Sequence, residues 1–331
     1  MTDLVVEART LVSPGKGLLA ADESTQTADV KRLAAYGIPT GPEMRRKFRD
    51  LFLDAPGIEE YLSGVILYEE TLGQAGSDQE LFPRSLSERG IAPGIKVDEG
   101  TDSFPSSEDE LITKGLIGLS ERLLAYKKQG ARFTKWRAVF RIDGDRLPSA
   151  AATHENAKRL ATYAKEVQMA GMVPILEPEV LLDGKHSRAR ARAVIAETMG
   201  ALFSVLQEQA VDRASIILKT SMALSGSESG RKDTPEEVAE DTVSALMESV
   251  PRQIAGVVFL SGGQDPDEAT ENLAAITKRA RQARAPWPLT FSFARALQEE
   301  AIRTWGGKDE NVEAARAVFL ARLRKVAAAV A

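Results

Sequence analysis

The segment Ile216-Ile217-Leu218-Lys219-Thr220-Ser221-Met222 places one lysine at the end of a run with buried-strand character, and a loose Ser/Gly stretch follows at residues 225–230. Alternation along a strand puts Ile217, Lys219 and Ser221 on one face and Leu218 and Thr220 on the other. If Ile217 points into a core, so does Lys219. A lysine there snorkels to water, pairs with a carboxylate or exists as a neutral amine. In the last form it is a nucleophile toward carbonyl carbon.

Other apolar runs end in the same way. Leu18-Leu19-Ala20-Ala21-Asp22-Glu23-Ser24 carries Ala20, Asp22 and Ser24 on one face, and Gly94-Ile95-Lys96-Val97-Asp98 puts Lys96 beside Asp98. In the segment 133–141, Lys135, Arg137, Val139 and Arg141 alternate with Trp136, Ala138 and Phe140. The apolar set suits a helix-facing side, so the cations are expected on the other. Val173-Pro174-Ile175-Leu176-Glu177-Pro178-Glu179 projects Glu177 and Glu179 together, Ser261-Gly262-Gly263 follows a further apolar run, and Arg295 opens a helix after another. Each residue alone has a structural role open to it. Asp22 can cap a turn, Lys96 can be a solvated strand end, Lys135 and Arg137 can pair with Glu177 and Glu179, and Ser261-Gly262-Gly263 can be a tight turn. Together they make a chemical set.

Lys96, Arg137 and Arg295 suggest an anionic ligand, to which a glycine turn adds backbone N–H donors suited to phosphate. Arg295 opposes the dipole at the start of its helix, which an anion would explain. Cations on more than one side hint at two phosphate groups. An unperturbed lysine, pKa about 10.4, is barely nucleophilic at neutral pH. Burial beside Lys135 and Arg137 would favour the neutral amine of Lys219, and Glu177 or Glu179 could shuttle the protons that imine formation needs. This is Schiff-base chemistry without a metal or other cofactor.

Composition agrees. With a net charge of -5, the chain lacks the basic balance that nucleic acid or an anionic membrane favours. It has no cysteine and two histidines, His154 and His186, which excludes thiolate chemistry and leaves little for a histidine-rich metal centre. Both histidines read as surface residues. Asp3 and Glu7 precede any long apolar run, unlike a secretory signal, and no stretch approaches the roughly 20 apolar residues of a membrane span. The expected location is the cytoplasm.

Positioning such a set requires many strands ending at one place. Short, nearly continuous apolar runs stand at 17–21, 64–68, 95–97, 136–142, 173–177, 215–219, 254–260 and 289–293, the pattern of parallel strands buried on both faces. Between them lie helical patterns with legible caps: Ser149 or Thr153 before a helix through Met169, Thr234-Pro235-Glu236-Glu237, and Asp265-Pro266-Asp267-Glu268. A helix from Arg295 to Trp305 ends at Gly306-Gly307, a short helix spans 3–12 and a last one spans 310–329. Eight strand–helix units at 331 residues predict an α/β protein, a single-domain (β/α)8 TIM barrel over 1–331 with extra N- and C-terminal helices. Such barrels carry their chemistry at the C-terminal ends of the strands.

The segments Gly15-Lys16-Gly17-Leu18-Leu19-Ala20-Ala21-Asp22-Glu23-Ser24-Thr25, Gly94-Ile95-Lys96-Val97-Asp98, Lys135-Trp136-Arg137 and Glu177-Pro178-Glu179 resemble those of the class I fructose-bisphosphate aldolases. So do Leu218-Lys219, Phe259-Leu260-Ser261-Gly262-Gly263-Gln264, Arg295-Ala296-Leu297 and Trp305-Gly306-Gly307, in the same order over nearly the whole chain. The resemblance implies a homotetrameric, metal-independent lyase of glycolysis and gluconeogenesis. It would cleave fructose 1,6-bisphosphate reversibly to dihydroxyacetone phosphate and glyceraldehyde 3-phosphate. It makes Lys219 the Schiff-base residue and Glu177 the acid/base for carbinolamine dehydration, with Glu179 beside it. Asp22 would take the C4-hydroxyl proton, and Lys135 would stabilise developing charge. Ser261, Gly262 and Arg295 would hold the C1 phosphate, with Ser24, Lys96 and Arg137 toward the C6 phosphate.

Some positions depart from the family pattern. Thr220 stands where a proline often follows the lysine, and Ala294 where a glycine commonly precedes the arginine. Many members use a tyrosine at the end of a C-terminal tail for proton exchange at C3, whereas the last tyrosine here is Tyr163. Slower enamine protonation, or another group in that role, is therefore expected. The alternatives are a Schiff-base aldolase for sedoheptulose 1,7-bisphosphate or fructose 1-phosphate, and a non-catalytic barrel scaffold.

Overall fold

The computed structural model describes residues 3–331. Its strands are β1 (Gly17–Ala21), β2 (Leu62–Leu67), β3 (Ala92–Lys96), β4 (Thr101–Phe104), β5 (Ser107–Thr113), β6 (Phe133–Phe140), β7 (Val173–Val180), β8 (Ile217–Thr220), β9 (Gly256–Phe259) and β10 (Leu289–Phe293). Eight of them close into a barrel in the order β1-β10-β9-β8-β7-β6-β3-β2, every neighbouring pair parallel. This is the (β/α)8 architecture expected. The strands fall on the eight apolar runs, with ends shifted by a few residues. Every residue of β1, β2, β7, β8 and β9 is buried, as packing on both faces demands.

Alternation sorts each strand between two cores. Phe133 of β6 points inward with Leu18, Ala20, Ile66, Ile175, Ile217 and Val258, forming an apolar plug in the barrel. Trp136, Ala138 and Phe140 point outward to the helices. Trp136 stacks at 5.4 Å between ring centroids on Tyr163 of the helix Ala150–Met169. Gly94 of β3 makes room for the Phe133 ring, which a Cβ there would approach to 2.3 Å. The helix Asp3–Leu11 adds Ala8 and Leu11 to the plug and is pinned where Ser63 Oγ donates to the Leu11 carbonyl at 2.6 Å. At the other terminus, Phe319 of the helix Val312–Ala328 meets Phe52 of the helix Pro42–Leu53 edge-on at 4.9 Å. The plug leaves the C-terminal mouth as the place for polar side chains.

The helix signals sit where the chain's chemistry put them. Ser149 Oγ accepts from Ala152 N, and Thr234 and Glu237 form a reciprocal capping box before the helix Pro235–Ser249. Asp265 caps the helix Pro266–Gln282, and Gly306, left-handed at φ 57°, ends the helix Arg295–Trp305.

Three expectations change. Arg141 lies beyond the end of β6, where strand alternation no longer holds. It is exposed and faces Asp109 at 3.8 Å instead of the interior. Ser221 lies just past β8, and its hydroxyl donates to Val180 O and accepts from Val180 N, so it stitches β8 to β7. His186 is buried because its loop packs on the 225–230 segment, with Gly226 N donating to His186 O at 2.8 Å. Burial holds its imidazole below the usual pKa, against a backbone hydrogen bond with Leu224. His154 is exposed as expected. The antiparallel hairpin β4–β5 stands outside the barrel and had no counterpart in the apolar-run pattern.

Candidate active site

A polar cavity of about 840 Å³ opens at the C-terminal mouth of the barrel. All the sequence-derived candidates line it: Asp22, Ser24, Lys96, Lys135, Arg137, Glu177, Glu179, Lys219, Ser261, Gly262 and Arg295. They converge because each lies on the inward face of a barrel strand or in the segment just past its C-terminal end, Lys135 being the third residue of β6.

Deepest are Lys219, Lys135 and Glu177, respectively 4%, 3% and 3% exposed. The Glu177 carboxylate serves both lysines, with Oε1 3.0 Å from Lys219 Nζ and Oε2 3.3 Å from Lys135 Nζ. Lys135 Nζ also lies 2.7 Å from Asp22 Oδ2 and 3.8 Å from Asp98 Oδ2. Burial opposes charge on all of these groups, so the protonation states follow from which term wins. Burial would lower Lys135, but Asp22, Glu177 and Asp98 outweigh it and hold the ammonium well above the usual lysine range. Burial would raise Asp22, yet Lys135, Lys219 and Lys96 keep its carboxyl well below the ordinary range. Glu177 is likewise held low, with Lys219, Lys135 and Arg137 overcoming burial and the Asp22 charge. At neutral pH the pocket floor therefore holds Asp22 and Glu177 as carboxylates around a charged Lys135. The structural pairing open to Lys135 with Glu177 is present, but Glu177 is shared. Its second partner is Lys219.

Arg137 pairs with Glu179 of β7, two residues beyond its register partner Glu177. Burial would lower the guanidinium, and Glu179, Glu177 and Asp98 raise it further. Lys96 Nζ is held by Asp98, at 2.8 Å from Oδ1 and 2.7 Å from its carbonyl, while Asp98 Oδ2 accepts from Arg137 N at 3.3 Å. Asp98 thus joins β3 to β6. It shares the inward face with Lys96 in the sequence pattern, and that alternation was the signal that marks it as part of the site.

Across the mouth, residues 261–263 turn through Gly262 and Gly263, whose φ values of 57° and 93° suit glycine. Arg295 donates to Gly263 O at 2.5 Å from the start of the helix Arg295–Trp305. Ala294 takes the N-cap position of that helix at the cavity edge, and Thr220 is wholly buried at the end of β8. Ser24 Oγ caps the next turn, accepting from Thr27 N at 3.3 Å. Arg32, also in the cavity wall, is tied to the buried Glu23, which a second arginine, Arg49, grips at 2.7 Å.

The ring order gives these groups a geometry. Counting round the barrel, β3 lies opposite β9, so Lys96 faces the 261–263 turn across the cavity. Cationic side chains therefore stand on both sides of the cavity, Lys96 and Arg137 on one and Arg295 on the other, with Lys219 between them on β8. The order of the strands, which spacing alone does not reveal, sets this opposition. Tyr163 takes no part, since its hydroxyl is buried against Thr134 Oγ1 and Ile175 O behind the barrel wall. The tyrosines that do line the cavity are Tyr68 and Tyr126.

Relatives share this chain over almost its whole length. Residues 3–331 match the family model described as fructose-bisphosphate aldolase class-I. The cytosolic fructose-bisphosphate aldolase 6 of Arabidopsis thaliana is 46% identical, over 97% of this chain and 88% of that protein. The chloroplastic fructose-bisphosphate aldolase 1 of the same plant is 45% identical, over 97% of this chain and 79% of its own. A solved structure of fructose-bisphosphate aldolase from Plasmodium falciparum, in complex with TRAP and a small-molecule inhibitor, superposes with a TM-score of 0.95. It is 42% identical and covers 99% of this chain and 93% of that one. The chain belongs to the class I fructose-bisphosphate aldolase family, a family of lyases.

Proposed function

We propose that this chain cleaves fructose 1,6-bisphosphate reversibly to dihydroxyacetone phosphate and glyceraldehyde 3-phosphate, through a Schiff base on Lys219 and without a metal. The observation that carries this is Lys219 beside Glu177 at the floor of a cavity with cationic side chains on both sides. Family membership supports the reaction class.

The chemistry follows from the contacts. Glu177, ionised, takes a proton from Lys219 Nζ and frees the nitrogen lone pair for attack on the C2 carbonyl, whose oxygen collects a second Nζ proton to become the carbinolamine hydroxyl. Glu177 returns a proton to the carbinolamine hydroxyl, which leaves as water and gives the iminium. Asp22 then accepts the C4-hydroxyl proton as the C3–C4 electron pair flows into the iminium. Asp22 is a poor base beside cations, but the iminium charge disappears in that same step. Lys135, kept as an ammonium by its carboxylates, screens the negative charge passing between Asp22 and Glu177. Glu179 positions Arg137. Ser261, Gly262 and Arg295 suit the C1 phosphate, and Ser24, Lys96 and Arg137 the C6 phosphate.

The continuous family match supports one domain over the chain, and the cytosolic relatives support a cytoplasmic enzyme. The resemblance to the family supports a homotetramer. The decisive assay follows triose-phosphate release in excess EDTA from fructose 1,6-bisphosphate, sedoheptulose 1,7-bisphosphate and fructose 1-phosphate. EDTA-insensitive cleavage with highest kcat/KM on the first is expected. Activity lost to EDTA, or preference for fructose 1-phosphate, would overturn the proposal.

A further inference from the structure

Tyr68 is a cavity residue that the chemistry above leaves without a task. It follows the last residue of β2, and the register pairs Ala21 with Leu67 and Leu67 with Ile95. One step further, Tyr68 stands between Asp22 and Lys96 at the barrel mouth. Alternation from Ile66, which lies in the interior plug, turns the phenol inward. Tyr126, the other tyrosine of the wall, is hydrogen-bonded to Arg122 and Glu69. The Tyr68 side chain makes no hydrogen bond within the described residues, and burial with the charges of Glu69, Glu70 and Asp98 keeps its phenol protonated far above neutral pH. A protonated, unengaged O–H at a substrate cavity is a hydrogen-bond donor awaiting an acceptor.

The ring order says which part of a ligand meets it. β2 lies opposite β8, and β3 opposite β9. A ketose joined to Lys219 on β8, with one phosphate on the 261–263 turn after β9, extends its far end toward Lys96 and Tyr68. We propose that the Tyr68 hydroxyl donates a hydrogen bond to the distal phosphate of the substrate, making Tyr68 a specificity-determining residue for bisphosphates over monophosphates. This rests on the function proposed above.

Tyr68→Phe removes only the hydroxyl, so the ring packing stays. Its kcat/KM is measured on fructose 1,6-bisphosphate and fructose 1-phosphate, alongside the melting temperature and borohydride trapping of dihydroxyacetone phosphate, which has no distal phosphate. The expected result is a fall of roughly 10-fold in the bisphosphate-to-monophosphate ratio, the size of one hydrogen bond to a charged group. It should appear mainly in KM, with melting and trapping unchanged. An unchanged ratio, or a parallel loss on both substrates, overturns the inference and leaves the aldolase function standing. A wild-type chain without fructose 1,6-bisphosphate cleavage removes both.

Discussion

Glu177 Oε1 lies 3.0 Å from Lys219 Nζ, and both side chains are almost wholly buried. The same carboxylate reaches Lys135 through its other oxygen. A carboxylate able to accept a proton is therefore already in contact with Lys219.

That contact gives the first prediction. Glu177→Gln keeps the shape but cannot take or return a proton, so the rate of adduct formation on Lys219 should fall by roughly 10²–10⁴-fold. Rapid-quench borohydride trapping measures that rate directly. A rate equal to wild type would assign the proton transfer to another group.

Lys135 holds three carboxylates together. Lys135→Met leaves Asp22, Asp98 and Glu177 crowded and short of a countercharge, which should cost about 3–5 kcal/mol of stability. Asp22 and Glu177 should both become harder to ionise, so activity should recover partly as pH rises. Denaturant melts and a pH profile of kcat check the two effects.

Arg137 and Lys96 stand at the pole opposite the glycine turn. Alanine at either should lower kcat/KM for fructose 1,6-bisphosphate by about 10-fold or more, because a charge-assisted phosphate contact is lost. Fructose 1-phosphate should be affected far less. Equal losses on both substrates would place the distal phosphate elsewhere.

Away from the site, Asp54 is raised to about 6, first by burial and then by its hydrogen bond with Asp50 and the charges of Asp50 and Asp78, with Arg316 acting against them. The folded protein therefore holds this proton more tightly than the unfolded chain. The associated stability is fully present below the unfolded value of about 3.9 and is lost as pH rises toward about 6. Asp54→Asn should raise the melting temperature at pH 8, and the gain should vanish below about pH 4. A constant difference across that range would contradict the assignment.

Much of the site was legible because a charged residue after an apolar run is a local signal. Lys219 and Glu177 each terminate such a run, Lys135 stands just before one, and strand alternation gave their shared face. Arg141 shows where that logic stops, since periodicity does not reveal that β6 ends one residue earlier. The hairpin β4–β5 was missed because most of its residues face solvent, leaving little apolar pattern to find. The polar loop around His186 gives no local sign of burial, which arises from contact with the distant Gly226. Tyr68 looked like one more residue of an apolar strand. Only the register between β1, β2 and β3 sets it between Asp22 and Lys96.

The most direct measurement is borohydride trapping with dihydroxyacetone phosphate, followed by digestion and mass spectrometry of the modified peptide. The account predicts label on Lys219, unaffected by EDTA and suppressed by fructose 1,6-bisphosphate. Label on a different lysine, or none while phosphate ligands still bind, would contradict it.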